Sequence, residues 1–171
     1  AMMKRQPKAI TPEKALIRLE ELCARAEHCT YELAQKLRAW GIGQEDSEVI
    51  IHSLQRRRFV DDSRFAASFV RDRYRYGRYG RVKIRLLLRA KRIDTDTIDE
   101  ALAEIDDDEY LEILKGVVRS KMRGLDMSVY EDRTKVYRHA LSRGYEVALV
   151  SQVIKGLLQI GCWEFLYGGI L

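Results

Sequence analysis

Apolar residues recur at three- and four-residue spacings along most of this chain and seldom alternate with polar ones. That is the period of a helix with one buried face, not of a strand. Prolines occur only at Pro7 and Pro12, so everything beyond them is free to run as helix. The pattern predicts an all-α protein with helices near 12–27, 30–40, 45–58, 62–76, 80–92, 95–105, 107–123, 132–143 and 146–160. Local chemistry marks the ends. Thr11-Pro12-Glu13 offers an N-cap, a proline in the first turn and an acid at the positive helix end. Thr30 is placed to cap the second helix, and Asp61 or Asp62 the fourth.

One phrase occurs three times. Leu37-Arg38-Ala39-Trp40-Gly41-Ile42 is echoed by Leu88-Arg89-Ala90-Lys91-Arg92-Ile93 and, more weakly, by Ala140-Leu141-Ser142-Arg143-Gly144-Tyr145. The intervals from Ile42 to Ile93 and from Ile93 to Tyr145 are 51 and 52 residues. A helix ends at each phrase, one precedes that helix, and one follows, so the repeating unit is three helices long. Gly41 and Gly144 stand where a left-handed residue stops a helix, with Ile42 or Tyr145 folding back as the apolar contact. Arg92 takes that place in the middle copy, at an expected cost of about 1 kcal/mol. The expected organisation is a tail at 1–11, repeats at 12–59, 60–106 and 107–160, and a second tail at 161–171. Ala1 ahead of Met2 and Met3 reads as an addition from cloning. Three tandem three-helix repeats touching only their neighbours imply an elongated, curved stack of helix bundles.

Charge sharpens this picture. The net charge is +5, but residues 71–92 hold ten basic side chains against Asp72 alone. That segment is +9 and the rest of the chain −4, while residues 94–112 carry ten acids and no Lys or Arg. A block this basic points to a polyanionic partner. By the ~100° helical step, Arg64, Arg71, Arg75 and Arg78 fall within a narrow arc opposite Phe65, Phe69 and Tyr76. In the next helix Arg81, Arg85, Arg89 and Arg92, with Lys83 nearby, form a second row beside a buried face of Ile84, Leu87 and Leu88. Guanidinium groups in rows suit phosphate tracking. Tyr76 reads as core; Tyr74 and Tyr79 either stack on unpaired bases or shield arginine stems. Two arrangements of the rows stay open. They face a partner, or carboxylates from 94–112 fold over them as an internal charge zipper.

Phe59-Val60-Asp61-Asp62-x-Arg64-Phe65-Ala66, followed by Val70, Arg73, Gly80, Ile84 and Leu88-x-x-Lys91-x-Ile93, resembles the signature of the RecX family of regulatory proteins. The resemblance runs from about residue 13 to 158 and includes the three tandem repeats. It departs at Arg92, where glycine is usual, and at Arg81, where proline is often found. The tail with Cys162, Trp163, Phe165 and Tyr167 lies outside it. What the resemblance implies is a non-enzymatic negative regulator of the RecA recombinase. Such a protein lodges in the groove of the RecA–DNA filament and lowers filament growth, ATPase, strand exchange and coprotease activity. It would contact RecA and DNA phosphates, act as a monomer and carry no cofactor. The filament-contacting residues would be Arg64, Arg71, Arg75, Arg78, Arg81, Lys83, Arg85, Arg89, Arg92, Tyr74 and Tyr79.

Other chemistry is poorly supported. Cys23, His28 and Cys29 lack a second pair at zinc spacing. His52 and His139 have no nucleophile or acid in a recognisable pattern. Gly77 and Gly80 follow no strand, and no Gly-Lys-Ser/Thr follows them. Acids 104–109 lack the spacing of a calcium loop. Asp61-Asp62-x-Arg64-Phe65 reads as a helix start with an aromatic anchor. Three cysteines without framework spacing, no charged-then-apolar leader and no membrane-length apolar run predict a cytoplasmic protein. Two rival functions remain: a DNA-binding regulator, nonspecific or of helix-turn-helix type, and a helical scaffold for an acidic protein.

Overall fold

The structure, a computed structural model, describes residues 10–167, with side chains to Gln159. Its helices are α1 Pro12–Arg25, α2 Thr30–Ala39, α3 Gln44–Arg56, α4 Asp62–Arg75, α5 Arg81–Ala90, α6 Thr95–Ala103, α7 Asp107–Met122, α8 Tyr130–Ser142 and α9 Val147–Tyr167. No strand occurs among the described residues. α9 runs past residue 160 into the stretch expected to be a tail. No helix among the described residues is long and apolar enough to cross a membrane.

Helices α1–α3 pack together, as do α4–α6 and α7–α9, with α4 also meeting α7. The phrase that recurs in sequence closes the second helix of each group the same way. Gly41, Arg92 and Gly144 have φ of 78°, 57° and 90°. The next amide reaches back in each copy, from Ile42 to Leu37 O, Ile93 to Leu88 O and Tyr145 to Ala140 O. Arg58 and Arg78 also adopt left-handed backbone, at φ 60° and 52°. Nothing in their local sequence announces it, since glycine is the usual signal.

The apolar faces form two cores. Ala15, Leu19, Leu33, Leu37, Ile50, Leu54 and Val60 make one inside α1–α3. The other is shared by α4–α9 and includes Phe65, Val70, Tyr74, Ile84, Leu88, Ile98, Tyr110, Leu114 and Tyr145, with Cys29 from the first group. Tyr76, expected inside, is 83% exposed. Projecting the period of α4 past Arg75 assigned it a buried direction where α4 has already ended. Tyr74 is 2% exposed, because α7 covers a flank of α4 that the sequence pattern left open.

The paired aspartates divide their work. Asp61 accepts the Arg64 N–H at 3.0 Å and caps its own helix. Asp62 reaches back to α2, accepting the Thr30 N–H at 2.8 Å and the Thr30 hydroxyl at 2.7 Å. Thr30 is therefore the first residue of α2 and not its cap; the residue before it, Cys29, makes no side-chain cap.

Candidate functional site

The basic segment starts on α4, crosses the α4–α5 loop and follows α5. Its ten cations separate into two sets. Arg75 is bound twice by Glu109, at 2.9 and 3.1 Å. Arg81 joins Asp107 at 2.5 Å and Glu146 at 3.2 Å, and its guanidinium lies 4.0 Å from the Tyr110 ring centroid. Arg85 meets Asp99 at 2.6 Å, and Lys91 pairs with Glu32. An internal zipper thus forms over part of the segment, with carboxylates from α6 and α7 and from beyond them. Arg64, upstream of the block, is likewise occupied by Glu27 at 2.6 Å.

Six cations carry no ion pair among the described residues: Arg71, Arg73, Arg78, Lys83, Arg89 and Arg92. Arg73 lies over Phe69 at 4.7 Å, Lys83 over Tyr79 at 4.4 Å and Arg92 over Tyr31 at 5.1 Å. The unbroken rows of the helical projection are therefore interrupted. Arg78 sits in the loop and not on α4, and Arg92 sits beyond α5. Tyr74 is no surface residue; its hydroxyl donates to Glu109 at 2.8 Å. Tyr79 is half-buried between Lys83 and Arg143. The outer side of α5 also carries exposed Val82 and Leu86, at 48% and 59%, one turn apart beside Arg89. The charge count of the sequence had hidden this mixed apolar and cationic face.

The start of α5 is pinned by the last three helices. Gly80 N–H donates to Arg143 O at 2.8 Å and Val82 N–H to Gly144 O at 3.0 Å. The Arg81 N–H donates to the Tyr110 hydroxyl at 3.0 Å, and that hydroxyl donates to Glu146 at 2.6 Å. Arg143 holds the carbonyls of Arg78, at 2.9 Å, and Gly77. A Cβ on Gly80 would stand 2.2 Å from the backbone of Gly144, so only glycine permits the contact. Burial pushes the Tyr110 hydroxyl well above its usual range, and the Glu146 carboxylate adds to this. At Arg81 burial works against the charge, but the Glu146 hydrogen bond overcomes it and the guanidinium is held more firmly protonated.

No group of three or more His, Cys, Asp or Glu side chains among the described residues is placed to hold a metal ion. His28 is turned to Glu32 at 3.0 Å.

Residues 61–102, the span of α4–α6, match the family model described as "RecX, second three-helix domain". The chain is 31% identical over 151 residues to regulatory protein RecX of Vibrio parahaemolyticus, covering 88% of this chain and 94% of that one. This chain belongs to the RecX family. A RecX from Prosthecochloris aestuarii is 31% identical over 85% of this chain and 94% of its own. The fold agrees with crystal structures of RecX proteins. One superposes with a TM-score of 0.76 at 23% identity, covering 84% of this chain and 73% of that one. Another, from Lactobacillus salivarius, gives 0.76 at 21%, covering 85% and 96%. The protein is thus a regulator of RecX type, and its middle three-helix domain is the one that carries the basic block.

Proposed function

We propose that this RecX-family protein restrains a RecA-type recombinase by seating its middle module in the groove of the RecA–DNA filament. On this reading it limits filament growth and lowers ATPase, strand exchange and coprotease activity without covalent chemistry. The carrying observation is the set of six cations left without an ion pair among the described residues while four neighbours in the same segment are neutralised. Solvated surface pairs contribute only about 0–1 kcal/mol each, so stability alone is a weak reason to concentrate so much charge. Arg71, Arg73, Arg78, Lys83, Arg89 and Arg92 are the contacts proposed toward phosphates or acidic filament surface. Arg64, Arg75, Arg81 and Arg85 hold the module in shape.

A composite groove suits this face better than bare duplex. Val82 and Leu86 beside Arg89 match a surface of protein and nucleic acid together. A helix-turn-helix reader needs the N-terminal end of its recognition helix free to meet base edges. Here that end of α5 is occupied by Arg143, Gly144 and Tyr110.

The test uses preformed RecA filaments on single-stranded DNA with ATPase as the readout. The protein is expected to lower the rate. Arg71→Glu with Arg89→Glu is expected to abolish the effect while the helical circular dichroism stays unchanged. Undiminished inhibition by that variant removes this face from the mechanism, and filaments indifferent to the unmodified protein overturn the reading.

A further inference from the structure

We propose that a cleft between α1 and α2, on the first module and apart from the basic segment, takes an unpaired base of a single-stranded nucleic acid. The cleft measures about 300 Å³ and is lined by Arg18, Glu21, Leu22, Arg25, Lys36 and Trp40. That volume is at the small end of ligand pockets and suits one flat ring. Trp40 follows the last residue of α2 and is half-buried, with the Arg18 guanidinium 5.5 Å from its ring centroid. Arg18, Arg25 and Lys36 make no ion pair among the described residues, and neither does Glu21. The lining is therefore net cationic around the indole. Single-strand sites are built this way, with an aromatic platform for the base and cations for the backbone.

A second observation ties the cleft to the basic module. Lys36 also lines a neighbouring cleft with His28, Tyr31, Glu32, Gln35 and Lys91. There Arg92 lies over Tyr31. The two clefts share Lys36, which links the cations and aromatics at the end of α5 to those around Trp40. Tyr31 and Trp40 are separated by about 13 Å along the helix axis at 1.5 Å per residue. Around the helix they stand about half a turn apart at ~100° per residue, so a strand joining them winds past Gln35 and Lys36. A strand leaving the basic module has a path over α2 that ends with a base against Trp40.

The site is tested on the full chain without any recombinase, so its failure is distinct from failure of the filament reading. The sequence has two tryptophans, and Trp163→Phe leaves Trp40 as the sole reporter. Short oligothymidylate is expected to quench Trp40 saturably, while a duplex of equal length and inorganic phosphate leave its emission unmoved. Trp40→Ala is expected to weaken binding of a labelled oligothymidylate about tenfold, with Trp40→Phe keeping most of the affinity. Because Trp40 also packs on the first core, the pair Arg18→Ala with Lys36→Ala, exposed and half-buried, gives an independent arm. That pair is expected to keep full helicity, lower affinity and flatten its salt dependence. Equal quenching by duplex, or unchanged affinity in the Arg18/Lys36 variant, overturns the proposal.

Discussion

The middle module joins its two neighbours by different means. Toward α7–α9 backbone meets backbone, Gly80 against Gly144, beside the ion pairs of Arg75 and Arg81 and over a core that runs through both modules without a break. Toward α1–α3 the contact is made by side-chain tips: Asp62 on Thr30, Lys91 on Glu32, Arg64 on Glu27, with Cys29 entering the shared core. Backbone contacts locked by glycine leave little freedom, whereas links between side-chain tips can break and reform singly. The last six helices therefore behave as one block, and the first three form a separately cored unit fastened to it by polar links.

Substitutions break or sharpen this contrast by different amounts. Phe65→Ala, in the shared core, is expected to cost about 3–5 kcal/mol in urea unfolding; a near-neutral result would contradict the core assignment. Gly80→Ala forces a methyl into the Gly144 backbone and is expected to cost about 2–3 kcal/mol, with accelerated amide exchange at Val82. Asp62→Ala is expected to cost only about 1–2 kcal/mol, with exchange rising at the start of α2 and not in α7–α9. Equal protection losses on both sides would dissolve the distinction.

Acid should loosen both junctions together. Burial pushes the Glu32 carboxyl up, but its hydrogen bonds to Lys91 and His28 more than reverse this and hold it below its usual value. Glu109 is held down by Arg75 and then by Tyr74. Carboxyls with lowered folded-state values add stability above their ordinary range of about 4 and lose it as pH falls through the lowered values. Thermal unfolding between pH 7 and 3 is expected to show a falling midpoint below about pH 4, and Glu32→Gln should flatten part of that fall. The smallest effect is expected at Tyr145. Its hydroxyl is buried without a partner among the described residues, and Tyr145→Phe should be neutral or stabilising by up to about 1 kcal/mol.

Helical period and turn residues placed the first eight helices to within a few residues and the start of α9, but not its end, because each core face repeats at three and four and each repeat ends in the same phrase. The left-handed Arg92 was also legible, through its alignment with Gly41 and Gly144. The surface was less so. Whether Arg75 or Arg71 remains available depends on Glu109, 34 positions from Arg75, and no periodicity within α4 reports a helix that arrives later. Tyr74 was hidden for the same reason, whereas Tyr76 was misplaced because α4 ends at Arg75. The tie from Asp62 to Thr30 went unseen, and Thr30 was taken for a cap, because capping rules are local while the two lie 32 residues apart.

The shared aspartate has a bearing on how the protein is made. Translation runs from the amino end, so α1–α3 leave the ribosome before Asp62 does, and the amide that opens α2 must wait for it. A nascent chain halted near residue 59 would carry a first module with its second helix frayed at the start, and that module would tighten only once the following segment had emerged.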